Sequence, residues 1–277
     1  MTILGFPTTW YRTPAQFENA VLHLLRRIHD TQTGQALFRE LDRTNHQMTI
    51  IPNRERILRG QLPNAYARYV YQQEATKRGM ALRKRDDPGT LELDSLGLPT
   101  FGLGTGSSTY VDFTPAMFAR YCRHHKRHKS GAQPDEVLFH EMVHAAREMR
   151  GVYNPMPLGF SYDTEEEFFA ILVANIYASE TRRPMDLRAH HHGFEHMDIR
   201  NTDSTFLPRA DMSDYSYRLV HQFVLDMPYM AHDLNRVHAP FNPIRRYYEL
   251  QRGGVPPLPL REFRPYGDSG PPPPPPR

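Results

Sequence analysis

Apolar residues recur at helical spacing along much of the chain, and this pattern predicts most of its secondary structure. The first helix is predicted from Thr13 to about Asp30, because Thr13 can cap it and Pro14 suits its first turn. Its apolar stripe consists of Phe17, Val21, Leu24, Leu25 and Ile28. Further helices are predicted over about 35–41, 116–129, 134–150, 164–180, 213–227 and 242–250.

Two short segments, Gln47–Ile51 and Thr109–Phe113, have the composition or alternation of strands. Between them, the spacing of Gly102, Gly104 and Gly106 could suggest a phosphate-binding loop. However, no Lys-Ser/Thr pair follows, and a strand rather than a helix comes next. A glycine-rich hairpin is therefore favoured, and the whole pattern predicts a mainly helical α+β fold with a small β-sheet.

The chain is expected to form one domain over residues 1–252, followed by a proline-rich tail over 253–277. The tail contains the run Pro271–Pro276, which cannot donate backbone hydrogen bonds, so the tail should be extended or disordered. No run approaches the roughly 18 apolar residues of a membrane span, so stable membrane insertion is not expected. The N-terminus lacks the charged and apolar regions of a secretory signal.

The composition narrows the chemistry that the chain can carry out. The net charge of its 277 residues is only +3, so composition alone does not argue for a nucleic-acid partner. The basic run Arg123–Lys129 could meet phosphate or an anionic surface, but a solvated helix end is the favoured interpretation. A single cysteine, Cys122, excludes an intrachain disulfide and a multi-cysteine zinc site, whereas 15 histidines prompt a search for metal ligands.

The segment Leu138–Ala146 contains the pattern His-Glu-x-x-His, formed by His140, Glu141 and His144. Histidines four residues apart share one helix face, so both imidazoles can reach a single Zn²⁺. Glu141 would then lie beside the metal, where it can take the proton of a zinc-bound water. The apolar neighbours of the pattern disfavour the alternative, two histidines on a solvated helix face.

A catalytic zinc needs a third protein ligand. This ligand must come from elsewhere, because Arg147 stands where the longer pattern His-Glu-x-x-His-x-x-Gly-x-x-His has glycine. The next predicted helix is apolar almost throughout but begins with three carboxylates, Glu165 to Glu167. A capping box starting at Thr164 would account for some of them without a metal. Glu167 shares its face with three alanines that would let the histidine helix approach, so Glu167 is the predicted ligand and Glu166 the alternative.

Other candidate residues lie between the two helices, on the second helix or after it. The run His190–His192 could donate to the transition state or support the ligand glutamate, or it could belong to a polar loop. Tyr153, Tyr162 and Tyr177 are candidates for oxyanion stabilisation, and each can equally be structural. If none of the three glutamates bound metal, His190–His192 or Glu195 would be the next candidates.

The two helices together resemble those of the glutamate-liganded zincins. More specifically, Val137-Leu-Phe-His-Glu-Met-Val-His-Ala and Glu166-Glu-Phe-Phe-Ala-Ile-Leu-Val-Ala-Asn-Ile-Tyr-Ala-Ser-Glu180 are similar to bacterial effector metallopeptidases. These occur as separate effectors and as C-terminal toxin domains of type VI secretion spike (VgrG) proteins. The segment Leu187–Phe194 also resembles that group. The chain departs from the spike-fused members in beginning at Met1 with no spike portion.

The resemblance implies a zincin-like fold, zinc as the cofactor, and a secreted effector that hydrolyses protein or peptide substrates. It implies delivery into a target cell without a classical signal peptide, with the periplasm as one place of action. An immunity protein or a secretion-system loading partner would accompany such an effector. Two alternatives stay open: a metal-binding zincin-like protein that acts by binding a partner, and a nucleic-acid or membrane contact through residues 120–129.

Overall fold

A computed structural model describes residues 1–53, 63–84, 87–124, 131–158, 162–183, 187–189, 191 and 215–253. The helices in these residues are α1 (Pro14–His29), α2 (Gln32–Asp42), α3 (Gln72–Ala75), α4 (Pro115–His124), α5 (Pro134–Arg150), α6 (Glu165–Glu180), α7 (Tyr215–Asp226), α8 (Pro228–Asn235) and α9 (Pro243–Arg252). The strands are β1 (Thr2–Ile3), β2 (Met48–Ile51), β3 (Tyr66–Tyr69), β4 (Arg83–Lys84), β5 (Asp87–Leu91) and β6 (Thr109–Asp112). The predicted mainly helical α+β fold is therefore confirmed.

The larger sheet has the strand order β1-β2-β6-β3 in the part of the chain that the structure describes. Strands β1, β2 and β6 are parallel to one another, whereas β3 runs antiparallel to β6 with Ala67 opposite Val111. Strand β3 is therefore an edge of the sheet. Helix α5 packs against both β3 and β6, so the helix that carries the histidine pattern lies beside an edge strand.

Helix α5 is defined at both ends by its own sequence. Glu136 Oε2 accepts a 3.2 Å hydrogen bond from the Gln133 backbone N–H, and Pro134 occupies the first turn. At the other end, Gly151 adopts a left-handed conformation with φ of 72°. Every side chain from Asp135 to Met149 is buried, so α5 crosses the core instead of lying on the surface as an amphipathic helix would.

Helix α6 is a second buried helix and packs against α5. It begins at Thr164, whose Oγ1 accepts a hydrogen bond from the Glu167 backbone N–H at 3.3 Å. All side chains from Phe168 to Ser179 are buried. The Phe139 ring of α5 stacks on the Tyr177 ring of α6 at 4.6 Å. This packing brings the acidic first turn of α6 into the interior, beside α5.

The glycine-rich segment is not the predicted hairpin. Residues 102–108 form a loop that leads into β6 and packs against the C-terminal end of α5. Gly106 has φ of +87°, and a Cβ atom there would lie 2.1 Å from the Met149 carbonyl oxygen. Glycines serve close backbone packing as well as turns, and here packing against α5 requires them. Two short antiparallel strands, β4 and β5, pair earlier in the chain.

Most of the predicted helices are present with small shifts of their ends. Helix α4 ends at His124, and the rest of the predicted basic run lies outside the described residues. Helix α8 was not predicted: the predicted helix stops at about residue 227, whereas in the structure Pro228 occupies the first turn of a new helix. The tail from residue 254 onward also lies outside the described residues. Within them, every helix is too short or too polar to cross a bilayer.

Candidate metal centre

Three side chains of α5 meet at one cavity. His140, Glu141 and His144 are each at most 7% exposed, and all three line a cavity of about 200 Å³. The four-residue spacing brings the two Nε2 atoms of His140 and His144 to 3.1 Å from each other, with the rings edge to face. The histidine pattern on a single helix therefore produces the shared face that its spacing predicts.

Glu167 lies with these histidines. Its Oε2 is 3.1 Å from His140 Nε2 and 3.4 Å from His144 Nε2. The cap at Thr164 uses only the backbone N–H of Glu167, while its side chain reaches the histidines. Helix capping therefore explains the hydrogen bond of the Glu167 backbone, but it does not explain why the Glu167 carboxylate lies at the histidines.

The three donor atoms form a nearly equilateral triangle with edges of 3.1, 3.1 and 3.4 Å. Ligand atoms at about 2.0–2.1 Å from a tetrahedral zinc ion lie about 3.3–3.4 Å from one another. Two imidazoles and one carboxylate are also a donor set that suits zinc and leaves one position open. The residues present therefore fit a divalent metal of this kind.

His191 lies at the edge of the same cluster. Its Nε2 is 3.3 Å from Glu167 Oε2, and its Nδ1 is 2.5 Å from Asp163 Oδ2. One donor atom each from His140, Glu167 and His191 lie within 4.8 Å of one another. A second possible set of three metal donors thus overlaps the first. The other candidates of this region lie outside the described residues: His190, His192 and Glu195.

The carboxylate of Glu141 faces the edge strand. Its Oε2 accepts a 2.8 Å hydrogen bond from the Ala67 backbone N–H of β3. Burial raises the pKa of Glu141 to about 7, although the charge on His144 opposes the shift. A carboxylate with this pKa is well suited to accept a proton near neutral pH. Strand β3 therefore holds a candidate general base in place.

Burial and charge have opposite effects on the other three groups. Burial lowers the pKa of His140 to about 3. Burial also disfavours the charged form of His144, but the carboxylates of Glu167 and Glu166 outweigh it and raise the His144 pKa well above its ordinary value. For Glu167 the effect of burial is outweighed by the two histidines of α5, and its pKa lies well below the usual range. The carboxylates therefore favour the positively charged form of His144.

Glu166, the alternative ligand, is turned away from the donor triangle. Its carboxylate accepts hydrogen bonds from Arg147 Nε at 2.8 and 3.0 Å and from the Asn154 backbone N–H at 3.1 Å. Its Oε1 lies 3.5 Å from His144 Nδ1, on the opposite side of the imidazole from Nε2. The structure therefore brings Glu167, and not Glu166, to the two Nε2 atoms.

The three candidate tyrosines lie in different environments. Tyr153 lines the cavity, and burial raises its pKa well above the ordinary value, so its hydroxyl stays protonated. The Tyr162 hydroxyl donates to the Ala189 carbonyl at 2.9 Å, and the Tyr177 hydroxyl donates to Asp135 Oδ2 at 2.8 Å. Tyr162 and Tyr177 therefore support the surrounding structure, and Tyr153 is the one of the three that lines the cavity.

Several residues of this site were not predicted from the sequence. Residues 64–67 also line the cavity, and the sequence pattern predicts no helix or strand there. Asp163, the partner of His191, resembles an ordinary acid near a helix start. Arg147 did offer a signal, because it lies three residues after His144, and a cation on a helix that is buried needs a partner.

A buried His-Glu-x-x-His helix beside an edge strand, joined by a glutamate from a second buried helix, is a site of the metallopeptidase class. The chain belongs to the peptidase M91 family of effector proteins, because the family model matches residues 9–168, more than half of the chain. Membership indicates a metallopeptidase with a protein substrate. The match includes all of α5 as well as Glu167, whereas His191 lies beyond it. No curated protein and no solved structure matches the chain.

Proposed function

We propose that this protein is a zinc-dependent metallopeptidase that acts as a secreted bacterial effector. In this proposal His140, His144 and Glu167 hold the zinc ion, and Glu141 is the catalytic base. The observation that carries the proposal is the donor triangle, with edges of 3.1–3.4 Å, next to the buried Glu141 carboxylate. Membership of the M91 family supports the same class of activity.

His144 is assigned to the zinc in preference to His191. It lies on the same buried helix as His140, and its side chain is 8% exposed, against 32% for His191. A catalytic zinc site keeps one position for water or substrate. His191, oriented by Asp163, is then left to donate a hydrogen bond to the carbonyl oxygen of the substrate as charge develops on it.

Zinc at this position would supply Lewis acidity that polarises the scissile carbonyl and makes a water molecule more acidic. Glu141 would take the proton of the attacking water and return it to the leaving amine. Burial raises the pKa of Glu141 and a neighbouring cation would lower it, and a carboxylate balanced between these effects can first accept and then release a proton. The Ala67 N–H holds Glu141 Oε2 in position during both steps.

The proposed substrate is an extended segment of a protein. Residues 64–67, which include the start of edge strand β3, line the same cavity as the donor triangle. Edge strands can bind an extended peptide through backbone hydrogen bonds. A substrate that pairs with this edge beside Ala67, whose own N–H is taken by Glu141, would place one of its peptide bonds over the triangle, within reach of Glu141.

The route of delivery is a further part of the proposal. The similarity of the α5 and α6 sequences to toxin domains of type VI spike (VgrG) proteins supports delivery into a target cell, with an immunity protein or loading partner. Expression in bacteria with and without an export signal tests the place of action. Toxicity only on export would indicate a periplasmic target, and toxicity only without export would indicate a cytoplasmic one.

Chelation should abolish peptidase activity, and zinc should restore it. The purified chain would be incubated with an unfolded protein mixture, and the new termini would be identified by mass spectrometry. The prediction is cleavage by the zinc-loaded protein, no cleavage after dialysis against a chelator, and recovery with about one equivalent of zinc per chain. Equal cleavage with and without metal would contradict the proposal, and zinc binding without any cleavage would favour the partner-binding alternative.

The affinity for zinc should rise with pH. The pKa of His144 lies well above its ordinary value, so zinc must displace a proton from this imidazole. Below that pKa, each pH unit should strengthen the apparent affinity by about tenfold for the one proton displaced. Competition with a chelator of known affinity at about pH 6, 7 and 8 measures the slope. A flat profile over this range would show that His144 is not protonated before zinc binds.

A further inference from the structure

A buried ion pair lies directly behind the donor triangle. The Arg147 side chain is fully buried, and its Nε donates to both carboxylate oxygens of Glu166, at 2.8 and 3.0 Å. The guanidinium packs over the Phe169 ring, 4.1 Å from its centre. Its Nη2 also donates to the Val152 carbonyl at 2.9 Å. Arg147 is therefore fixed by contacts on several sides and holds Glu166 in one orientation.

Stability alone does not explain this ion pair. Removing two charges from water is costly, and a buried pair can often be replaced by apolar side chains of similar volume with no loss of stability. Phe169 and Phe223 already surround the guanidinium with apolar surface. The pair also satisfies the Val152 carbonyl and the Asn154 N–H, but neither contact accounts for the Glu166 carboxylate that faces His144 Nδ1.

We infer that Glu166, held by Arg147, positions the imidazole of His144 for metal binding. The Glu166 carboxylate faces His144 Nδ1 at 3.5 Å, while the Nε2 of the same ring points to Glu167 at 3.4 Å. A proton on Nδ1 that is directed to Glu166 leaves the Nε2 lone pair free for the metal and fixes the plane of the ring.

The arrangement follows from consecutive residues of one helix. Successive side chains are rotated by about 100° around a helix, so Glu166 and Glu167 reach opposite sides of the same imidazole. Glu166 also accepts a hydrogen bond from the Asn154 N–H, which satisfies it without the metal. Glu166 is thus a positioning residue, and this inference rests on the proposed metal site.

Two double variants separate positioning from simple structural support. Arg147→Met with Glu166→Leu replaces the ion pair by apolar side chains, whereas Arg147→Met with Glu166→Gln keeps a neutral hydrogen-bond acceptor beside His144. Zinc dissociation constants would be measured by competition with a chelator, and thermal unfolding in excess chelator would report the fold. Glu165→Gln is the matched control, because Glu165 lies in the same turn and contacts Asn154 Nδ2.

The apolar double variant should bind zinc about 10–100-fold more weakly than the original protein, as for other lost supporting residues. The glutamine double variant should recover most of that loss, and the Glu165→Gln control should bind zinc normally. Equal zinc affinity of the two double variants would overturn the inference, because only one of them can accept from His144. Absence of zinc from the unmodified protein would instead overturn the proposed function.

A measurement on the unmodified protein keeps the inference testable if a double variant fails to fold. In the zinc-loaded chain, nuclear magnetic resonance should find the His144 Nδ1 proton hydrogen-bonded and slow to exchange with water. Rapid exchange of this proton would overturn the positioning role, whatever the variants do.

Discussion

Replacing Glu141 by glutamine should lower kcat/KM for peptide cleavage by about 10²–10⁴-fold, the contribution typical of a general base. Glutamine has nearly the same shape but cannot accept the proton of the attacking water. Its side-chain carbonyl can still accept the hydrogen bond from the Ala67 N–H that Glu141 receives in the structure. The variant should therefore keep its fold and its zinc while losing activity.

The matched control for this experiment is Glu148→Gln. Glu148 is also buried on α5, but its carboxylate contacts the Thr109 hydroxyl instead of the cavity. Initial rates on one peptide substrate and zinc content by mass spectrometry would be measured for both variants. Near-normal cleavage by the Glu141→Gln protein would exclude Glu141 as the base.

Replacing Glu167 by alanine should have the second large effect, the loss of zinc and of peptidase activity together. The loss of affinity should exceed the roughly 10–100-fold typical of residues that only support a metal ligand. Glu167 Oε2 lies 3.1 and 3.4 Å from the two Nε2 atoms, so its removal would leave two imidazoles as protein ligands. Zinc titration followed by a competing chelator measures the change.

Glu165→Ala provides the comparison within the same turn of α6. Glu165 contacts Asn154 rather than the histidines, and an acid at a helix start contributes only about 0.3–1 kcal/mol through the helix dipole. Zinc affinity and activity should be almost unchanged. If the Glu167→Ala protein kept its zinc while Glu165→Ala lost it, the assignment of the third ligand would be wrong.

Local signals explain why the helices could be predicted. Thr13 and Gln16 form the capping box of α1, and the apolar stripe predicted for this helix is the set of side chains that it buries. The end of α5 at Gly151 is likewise a local feature. Such signals lie within a few residues of the position they determine, so no tertiary information is needed to recognise them.

Strand β3 could not be predicted in the same way. All four of its side chains are partly exposed, so it lacks the alternation between buried and exposed positions that marks a strand with one buried face. Its pairing partner is β6, with Tyr66 opposite Asp112, far away in sequence. Tertiary pairing therefore defines the strand. The same pairing positions the part of the cavity lining that β3 supplies and the Ala67 N–H that binds Glu141.

The candidate site also combines local features, which the sequence reveals, with tertiary contacts, which it does not. The spacing of His140 and His144 is a local property of one helix, so their approach could be predicted. The alanines on its helix face favour Glu167 over Glu166 in the sequence. In the structure the reason is different: Arg147 binds the carboxylate of Glu166 and leaves that of Glu167 to the histidines. The position of His191 depends on a contact with Asp163 that the sequence does not reveal.

X-ray absorption spectroscopy at the zinc edge of the loaded protein tests the ligand assignment most directly. We expect one zinc per chain with two imidazole nitrogens and oxygen donors at about 2.0–2.1 Å. His191→Ala should leave this spectrum unchanged, whereas His144→Ala should remove one imidazole or the zinc itself. Three imidazoles in the unmodified protein, one of them lost in His191→Ala, would contradict the assigned ligands, and a chain that binds no zinc would contradict the account as a whole.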